Sequence, residues 1–266
     1  MAAATAPAGT SPAVPVPLAP EALVRDTGAI RHDTVRAMRW TVSGTCKVTG
    51  DATAAEATIA GLLSVGGRLT VTRIRARGTL EVLGGTDVRE RAELDGTFRP
   101  RGPVHLASAR IAGIVRTPSD VRVERDLTVA GAFEAASLHV GLFDLTGTTT
   151  VPGDLVASAN IRASFRGDST LGSIRAHEVI LKGPPPGLVP TLVRKVFGGN
   201  AHIRVERIEA DRVEIEAVNV GLIRSPEIVL GPGAQVTEVE GTVVRQHPTA
   251  RVGPESRSRP PHGLSR

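Results

Sequence analysis

The sequence predicts an all-β protein, a parallel β-solenoid in which short strands wind around one narrow core. The first observation is a run of branched apolar residues at every fifth position from Ile203 to Ile228. The second is that the residue two places after each of them is also apolar, except at Ser225. A polar residue separates the two members of nearly every pair, which indicates a short strand with one buried face. Equal units of this kind, joined by polar bends, are typical of a solenoid.

A third observation is that the same pairs recur far upstream. A helix does not explain the run, because fifth positions on a helix are rotated by roughly 140° and form no apolar stripe. The spacing of five or six residues predicts coils of about 16 to 18 residues, three units to a coil. The pairs expected to face inward are Leu63/Val65, Leu69/Val71, Ile74/Ala76, Leu80/Val82, Leu127/Val129, Phe133/Ala135, Leu138/Val140, Ile203/Val205, Ile208/Ala210, Val213/Ile215, Val218/Val220, Ile223/Ser225 and Ile228/Leu230.

The chain divides into five segments. Residues 1–34 begin with twenty residues that hold five prolines and no charge, so we expect a disordered Ala/Pro-rich arm. Its last part, from residue 21, is compatible with a short helical turn or an irregular lead-in. Residues 35–181 carry the first coils. Met38, Trp40 and Val42 share one parity there, and Trp40 is expected to close the open end of the core.

Residues 182–200 interrupt the repeat. Three prolines stop the strand, and the apolar residues that follow share one face at helical spacing before Gly198 and Gly199 end the turn. We expect a short helix that acts as a lid on the core or as a contact for a membrane or a partner, through Leu188, Leu192, Val196 and Phe197. Coils resume over residues 201–244, and the Arg/Pro-rich tail 245–266 is expected to be disordered.

Composition limits the classes of function. The chain has 266 residues, a single cysteine, no Tyr and one Trp, so neither a disulfide framework nor an aromatic binding platform is predicted. No apolar run approaches the length of a membrane span, and the N-terminus does not resemble a signal peptide, so we expect a cytoplasmic protein. The net charge of +5 is concentrated in the tail, and we expect no specific nucleic-acid partner.

Residues of catalytic type are expected to be structural. The carboxylates of Glu206, Glu209, Asp211, Glu214 and Glu216 alternate with arginines at outward positions, which predicts ladders of opposite charge between coils. The seven histidines show no metal-ligand spacing. His139, between two inward residues, is expected to face outward. No catalytic residue, metal site or cofactor is therefore predicted.

Several short units resemble a known family. Val48-Thr-Gly-Asp, Ile59-Ala-Gly, Val129-Ala-Gly and Val151-Pro-Gly-Asp-Leu-Val-Ala resemble the repeats of bactofilins, the polymer-forming cytoskeletal proteins of bacteria. Leu192-Val-Arg-Lys-Val-Phe-Gly-Gly, the run from Ile203, and Ile228-Val-Leu-Gly-Pro-Gly-Ala resemble larger bactofilin-like members with an insert before their last coils. The resemblance covers roughly residues 40–244.

This resemblance implies a right-handed, single-stranded parallel β-helix that polymerises end to end without nucleotide, often beside the inner membrane. The partners it implies are further copies of the chain, with the inner-membrane surface or cell-envelope proteins as additional contacts. The residues expected at the polymer ends are Trp40 and Val42 at one end and Ile228, Leu230 and Val239 at the other.

Two other solenoid classes remain open at this stage. A left-handed β-helix acyltransferase would use a histidine as general base, but it expects strict six-residue units, whereas the run from Ile203 has five. A pentapeptide-repeat interaction protein expects a Leu with small residues two places before it, whereas this chain is rich in Val and Ile.

Overall fold

The computed structural model describes residues 21–184 and 202–253 as one parallel β-sheet wound into a solenoid of about 13 turns. No helix occurs in this part of the chain. The fifteen strands are β1 Glu21–His32, β2 Val35–Val48, β3 Ala52–Val65, β4 Leu69–Val82, β5 Thr86–Pro100, β6 Val104–Leu106, β7 Ala109–Arg116, β8 Val121–Glu134, β9 Leu138–Ala157, β10 Asn160–Phe165, β11 Ser169–Lys182, β12 Ile203–Glu216, β13 Asn219–Leu230, β14 Gln235–Gln246 and β15 Arg251–Val252.

Each coil presents three short faces to the core, and each face contributes two inward side chains. In β2 these pairs are Val35/Ala37 on face 1, Trp40/Val42 on face 2 and Cys46/Val48 on face 3, all buried. The residue between the members of a pair points outward, as expected of a strand. Successive coils pair in parallel at an offset of 15 to 20 residues, and of 34 residues across the insert, so each inward pair stacks on the equivalent pair of the next coil.

The C-terminal run from Ile203 has the predicted orientation. Eleven of the twelve expected inward residues are buried, and Ala210 is half-buried. Ser225, the one polar member, is 3% exposed, and its hydroxyl donates to the carbonyl of Asp211 at 3.2 Å or that of Glu227 at 2.9 Å. A buried hydroxyl needs such a partner, which explains how a serine is tolerated in the core. The upstream pairs from Leu63 to Val140 are buried as well, so the predicted β-solenoid is confirmed.

A column of eight glycines lines the bend between faces 2 and 3. Consecutive members pair with each other in the sheet, and all have positive φ. A Cβ on Gly96 would lie within 3.0 Å of the Gly78 carbonyl oxygen, closer than real Cβ atoms approach. The bend therefore requires glycine both for its backbone conformation and for the close approach of the coils. The column comprises Gly28, Gly44, Gly61, Gly78, Gly96, Gly113, Gly131 and Gly147.

The structure moves two boundaries of the sequence-based division and corrects the orientation of one residue. Residues 21–32, assigned to the disordered arm, form β1 and add a coil before the predicted first one. Residues 245–253, assigned to the tail, include the end of β14 and β15. Met38 is 54% exposed although Trp40 and Val42 are buried, because the bend between faces 1 and 2 lies at residues 38 and 39 and breaks the parity.

The predicted helical insert lies largely outside the described residues, as do the arm to residue 20 and the tail from residue 254. The coils on either side of the insert nevertheless stack directly. β11 pairs with β12 along its whole length, with Ser169 opposite Ile203 and Leu181 opposite Ile215. The insert therefore leaves the ladder of strands continuous.

The glycine column can be tested with a matched pair of substitutions. Gly28 begins the column, and a Cβ there meets nothing within 4 Å, whereas the same atom on Gly96 meets the preceding coil. Gly28→Ala should lower the free energy of unfolding by about 1 to 3 kcal/mol through backbone strain alone. Gly96→Ala should lower it by about 1 to 3 kcal/mol more, because a clash is added. Urea unfolding followed by circular dichroism measures both, and equal losses would contradict the close-approach argument.

Candidate functional site at the ends of the solenoid

The two ends of the solenoid are the places where inward-facing side chains are incompletely covered. On face 3, Ile30 at one end is 37% exposed and Val252 at the other is 47% exposed. Their neighbours one coil further in, Cys46 and Val236, are buried. Residues at the equivalent inward positions of the inner coils are buried. The exposed surface of Ile30 and Val252 is therefore apolar surface of the core that no further coil covers.

The backbone edges at these ends are also open. Among the described strands, β1 pairs with β2 alone. On the outer edge of β14, β15 covers only Gln235 and Val236. A strand edge with free N–H and C=O groups is a template for another strand of the same direction. Each end therefore combines a hydrogen-bonding edge with exposed core side chains.

A polar cluster lies inside the end that β1 forms. Asp26 occupies an inward position on face 2, next to Trp40 and Val42 of the following coil, and is 5% exposed. His32 occupies an inward position on face 3, beside the stacked Ile30 and Cys46. Stacking of β1 on β2 thus brings Asp26, His32 and Cys46 together, with ligand-type atoms all within 4.8 Å of one another.

Hydrogen bonds satisfy the buried carboxylate of Asp26. Trp40 Nε1–H donates to Asp26 Oδ2 at 2.8 Å, and the Cys46 thiol donates to the same oxygen at 3.4 Å. His32 Nε2 lies 2.9 Å from Asp26 Oδ1, and its side chain is 29% exposed at the rim. Trp40 is fully buried, so its indole nitrogen needs this acceptor as much as the carboxylate needs the donor.

The environment shifts the pKa values of Asp26 and Cys46 in opposite directions. Burial raises the pKa of Asp26, but the hydrogen bonds from Trp40, His32 and Cys46 outweigh it and leave the pKa below the ordinary 3.8. Burial, the Asp26 charge and the thiol hydrogen bond raise the pKa of Cys46 to about 12. At neutral pH the cluster thus contains a carboxylate and a neutral thiol, so Cys46 is a poor nucleophile in this state.

Four of the five residues predicted for the polymer ends lie further inside than expected. Trp40, Val42, Ile228 and Leu230 are at most 1% exposed, because β1 covers the first two and β14 covers the last two. Val239 lies in β14 and is half-buried. The exposed ends are instead formed by β1 at one side and by β14 and β15 at the other. Leu188, Leu192, Val196 and Phe197 lie outside the described residues.

The acidic residues of the C-terminal coils form the predicted charge ladders in part. Arg224 lies between Glu209, at 3.2 Å, and Glu240 on the neighbouring coils, and Asp211 contacts His177 at 2.8 Å. Glu214 contacts Lys182 at 3.6 Å, whereas Glu206 and Glu216 make no ion pair within the described coils. A shallow groove beside these residues is lined by the paired charges of Arg175, Asp211, Arg224 and Glu240. Exposed pairs of this kind contribute little stability and mark a solvated face.

His139 is exposed on β9 between buried Leu138 and Val140, as predicted from its parity. The polar cluster is not recognisable from residue spacing, because the separations between Asp26, His32 and Cys46 match no ligand motif. The residue offset between neighbouring coils is the feature of the sequence that would have revealed the cluster. Once β1 is recognised as a coil, Cys46 stacks on Ile30, and Asp26 and His32 both fall at inward positions.

Comparison of the chain with protein-family models, with curated proteins and with solved structures gave no match. Within residues 21–184 and 202–253, no helix has the length and apolar character needed to cross a bilayer.

The indole–carboxylate contact predicts a local loss of stability on its removal. Trp40→Phe should weaken the first coils by about 1.5 to 3 kcal/mol, because a hydrogen bond to a buried charge disappears. The same change in an Asp26→Asn background should have less than half this effect, because the charge is then absent. Native-state hydrogen exchange of the β1 and β2 amides measures both values, since coil stability is local in a solenoid. Equal losses in the two backgrounds would show that the contact does not stabilise the carboxylate.

Proposed function

We propose that this protein is a non-enzymatic structural protein whose solenoids assemble end to end, without nucleotide, into filaments or scaffolds. The observation that carries the proposal is the pair of open ends, each of which has exposed core residues and a strand edge that no other described strand pairs with. The resemblance to bactofilins supports the same function and, as part of the proposal, a right-handed helix. The mixture of five- and six-residue units speaks against a hexapeptide-repeat acyltransferase.

End-to-end stacking would continue the columns of the core from one copy into the next. If the contact between two copies keeps the register of the coils, Ile30 of one copy stacks on Ala250 of the other, and His32 stacks on Val252. On face 2, Val24 would follow Val243. The apolar surface exposed at each end would then be buried, which favours association in proportion to the area removed from water.

The same register brings like charges together on the outer surface. Arg25 of one copy would follow Arg245 of the next on face 2, and Arg31 would follow Arg251 on face 3. Two such charges about one strand spacing apart repel by roughly 1 kcal/mol in water. Salt screens this repulsion, so assembly should be weak at low ionic strength and should strengthen as salt is added.

We further propose a cytoplasmic location, at or near the inner-membrane surface, where cell-envelope proteins would be additional partners. The sole cysteine, a buried free thiol, is compatible with a reducing compartment. The bactofilin resemblance supports the membrane-proximal position.

Assembly is tested by negative-stain electron microscopy and sedimentation over a range of protein and salt concentrations. The proposal expects filaments or extended oligomers that increase with salt. Arg251→Glu should lower the concentration needed for assembly by roughly tenfold at low salt, because a carboxylate then faces Arg31 of the next copy. Arg204→Glu is the matched control, since Arg204 lies exposed in the same outward column but within the stack.

Two outcomes separate the parts of the proposal. Monomers at every protein and salt concentration would overturn self-assembly. Assembly that responds equally to Arg251→Glu and to Arg204→Glu would retain self-assembly but overturn the in-register, head-to-tail contact.

A further inference from the structure

We propose that Asp26, His32 and Cys46 form a binding site for a single transition-metal ion, best matched to Zn²⁺, at the β1 end of the solenoid core. The three side chains supply a carboxylate oxygen, an imidazole nitrogen and a sulfur, which are the three kinds of ligand that zinc takes from proteins. The site involves no residue of the charge ladders and does not depend on self-assembly.

Two contacts of Asp26 are close in length to those of a tetrahedral site. His32 Nε2 lies 2.9 Å from Asp26 Oδ1, and Cys46 Sγ lies 3.4 Å from Asp26 Oδ2. Ligand atoms around zinc at the usual bond lengths are about 3.3 to 3.6 Å apart, so His32 needs to separate from Asp26 by only a few tenths of an ångström. The three ligand atoms all lie within 4.8 Å of one another, so a side-chain adjustment can bring them to one ion. The strands hold Asp26 and Cys46 in the ladder, and His32 lies at the end of β1, where its partly exposed ring can adjust.

Charge balance favours a cation in this position. Asp26 is a buried carboxylate, and its partners among the described residues are an indole, a thiol and an imidazole, with no Arg or Lys. The hydrogen bonds stabilise this carboxylate, but none of its partners carries a permanent positive charge, so a bound cation would meet an uncompensated negative charge. A divalent ion bound by the Asp26 carboxylate and a Cys46 thiolate would make the three charges sum to zero. Binding would release the thiol proton to solvent, so one proton leaves for each ion bound.

The surrounding residues fit the supporting roles that metal sites require. Trp40 Nε1–H already donates to Asp26 Oδ2, which would leave Oδ1 directed at the ion and fix the carboxylate plane. Trp40 itself is fully buried and closes the inner side of the cluster. The His32 side chain is 29% exposed, so a path from solvent reaches the cluster, and a water molecule arriving by it would be the fourth ligand.

The test is metal titration of the full-length metal-free protein at neutral pH. Zn²⁺ binding is measured by calorimetry, and Co²⁺ is used as the spectroscopic probe because a cobalt–thiolate bond gives a charge-transfer absorption band. The expected result is one ion per chain, a thiolate band with Co²⁺, and release of one proton. Cys46→Ser should abolish the band and weaken Zn²⁺ binding at least tenfold to a hundredfold. His32→Gln, at a rim position that packing constrains less, should weaken it by a similar factor.

His177→Ala is the matched control, because His177 forms an exposed pair with Asp211 at 2.8 Å on another part of the surface. It should leave the Zn²⁺ affinity unchanged. If the unsubstituted protein shows no cobalt–thiolate band with Co²⁺, the proposal is overturned whatever the variants show. Zn²⁺ affinities of the Cys46→Ser and His32→Gln proteins equal to that of the unsubstituted protein would overturn it as well.

Discussion

Hydrogen bonding between successive coils in fixed register is the constraint on which the rest of the structure depends. A single coil has two inward residues on each of three faces and cannot bury them alone. When the next coil pairs at an offset of 15 to 20 residues, inward pairs stack on inward pairs and the core becomes continuous. A shift of one residue would turn the buried face outward, so the register and the apolar pattern specify each other. The same dependence leaves the end coils incomplete, which is the physical basis of the proposed assembly.

The bends between faces determine how closely the coils can follow each other. The first eight coils use a glycine with positive φ at the same bend, and the carbonyl of each glycine lies where a Cβ on the next would be. In the last coils the units shorten to five residues, and Ala217, with φ of 52°, takes the equivalent bend. The outward arginines and glutamates add ion pairs between coils, but exposure and screening keep their contribution small. The fold is thus stabilised mainly by its apolar columns and backbone ladder.

The sequence predicted the repeat well wherever strands were regular. The pairs from Ile203 to Leu230 could be assigned because an in-out-in pattern has one interpretation when several units share the same spacing. Met38 was assigned to the wrong side, because parity holds only along a straight strand and a bend resets it. β1 was missed because its inward positions hold Asp26 and His32, whose polarity hides the pattern. The contacts among Asp26, His32, Trp40 and Cys46 depend on how β1 stacks on β2. The sequence shows which residues are close in space only once the residue offset between these two coils is known. Four of the predicted end residues lie one coil inside, because β1 covers Trp40 and Val42 and β14 covers Ile228 and Leu230, whereas Val239 lies in β14 itself.

The most direct test of the coil arrangement is disulfide formation between outward positions. Arg110 and Thr128 are paired on adjacent coils, whereas Arg110 and Asp144 are two coils apart. A disulfide requires Cα atoms about 4.4 to 6.8 Å apart, which the first pair satisfies and the second exceeds. The double variant Arg110→Cys/Thr128→Cys should form an intramolecular disulfide rapidly under mild oxidation, with Cys46 remaining buried and unreacted. The double variant Arg110→Cys/Asp144→Cys should form none. Equal cross-linking of the two variants, or cross-linking of the second alone, would contradict the stacked coils.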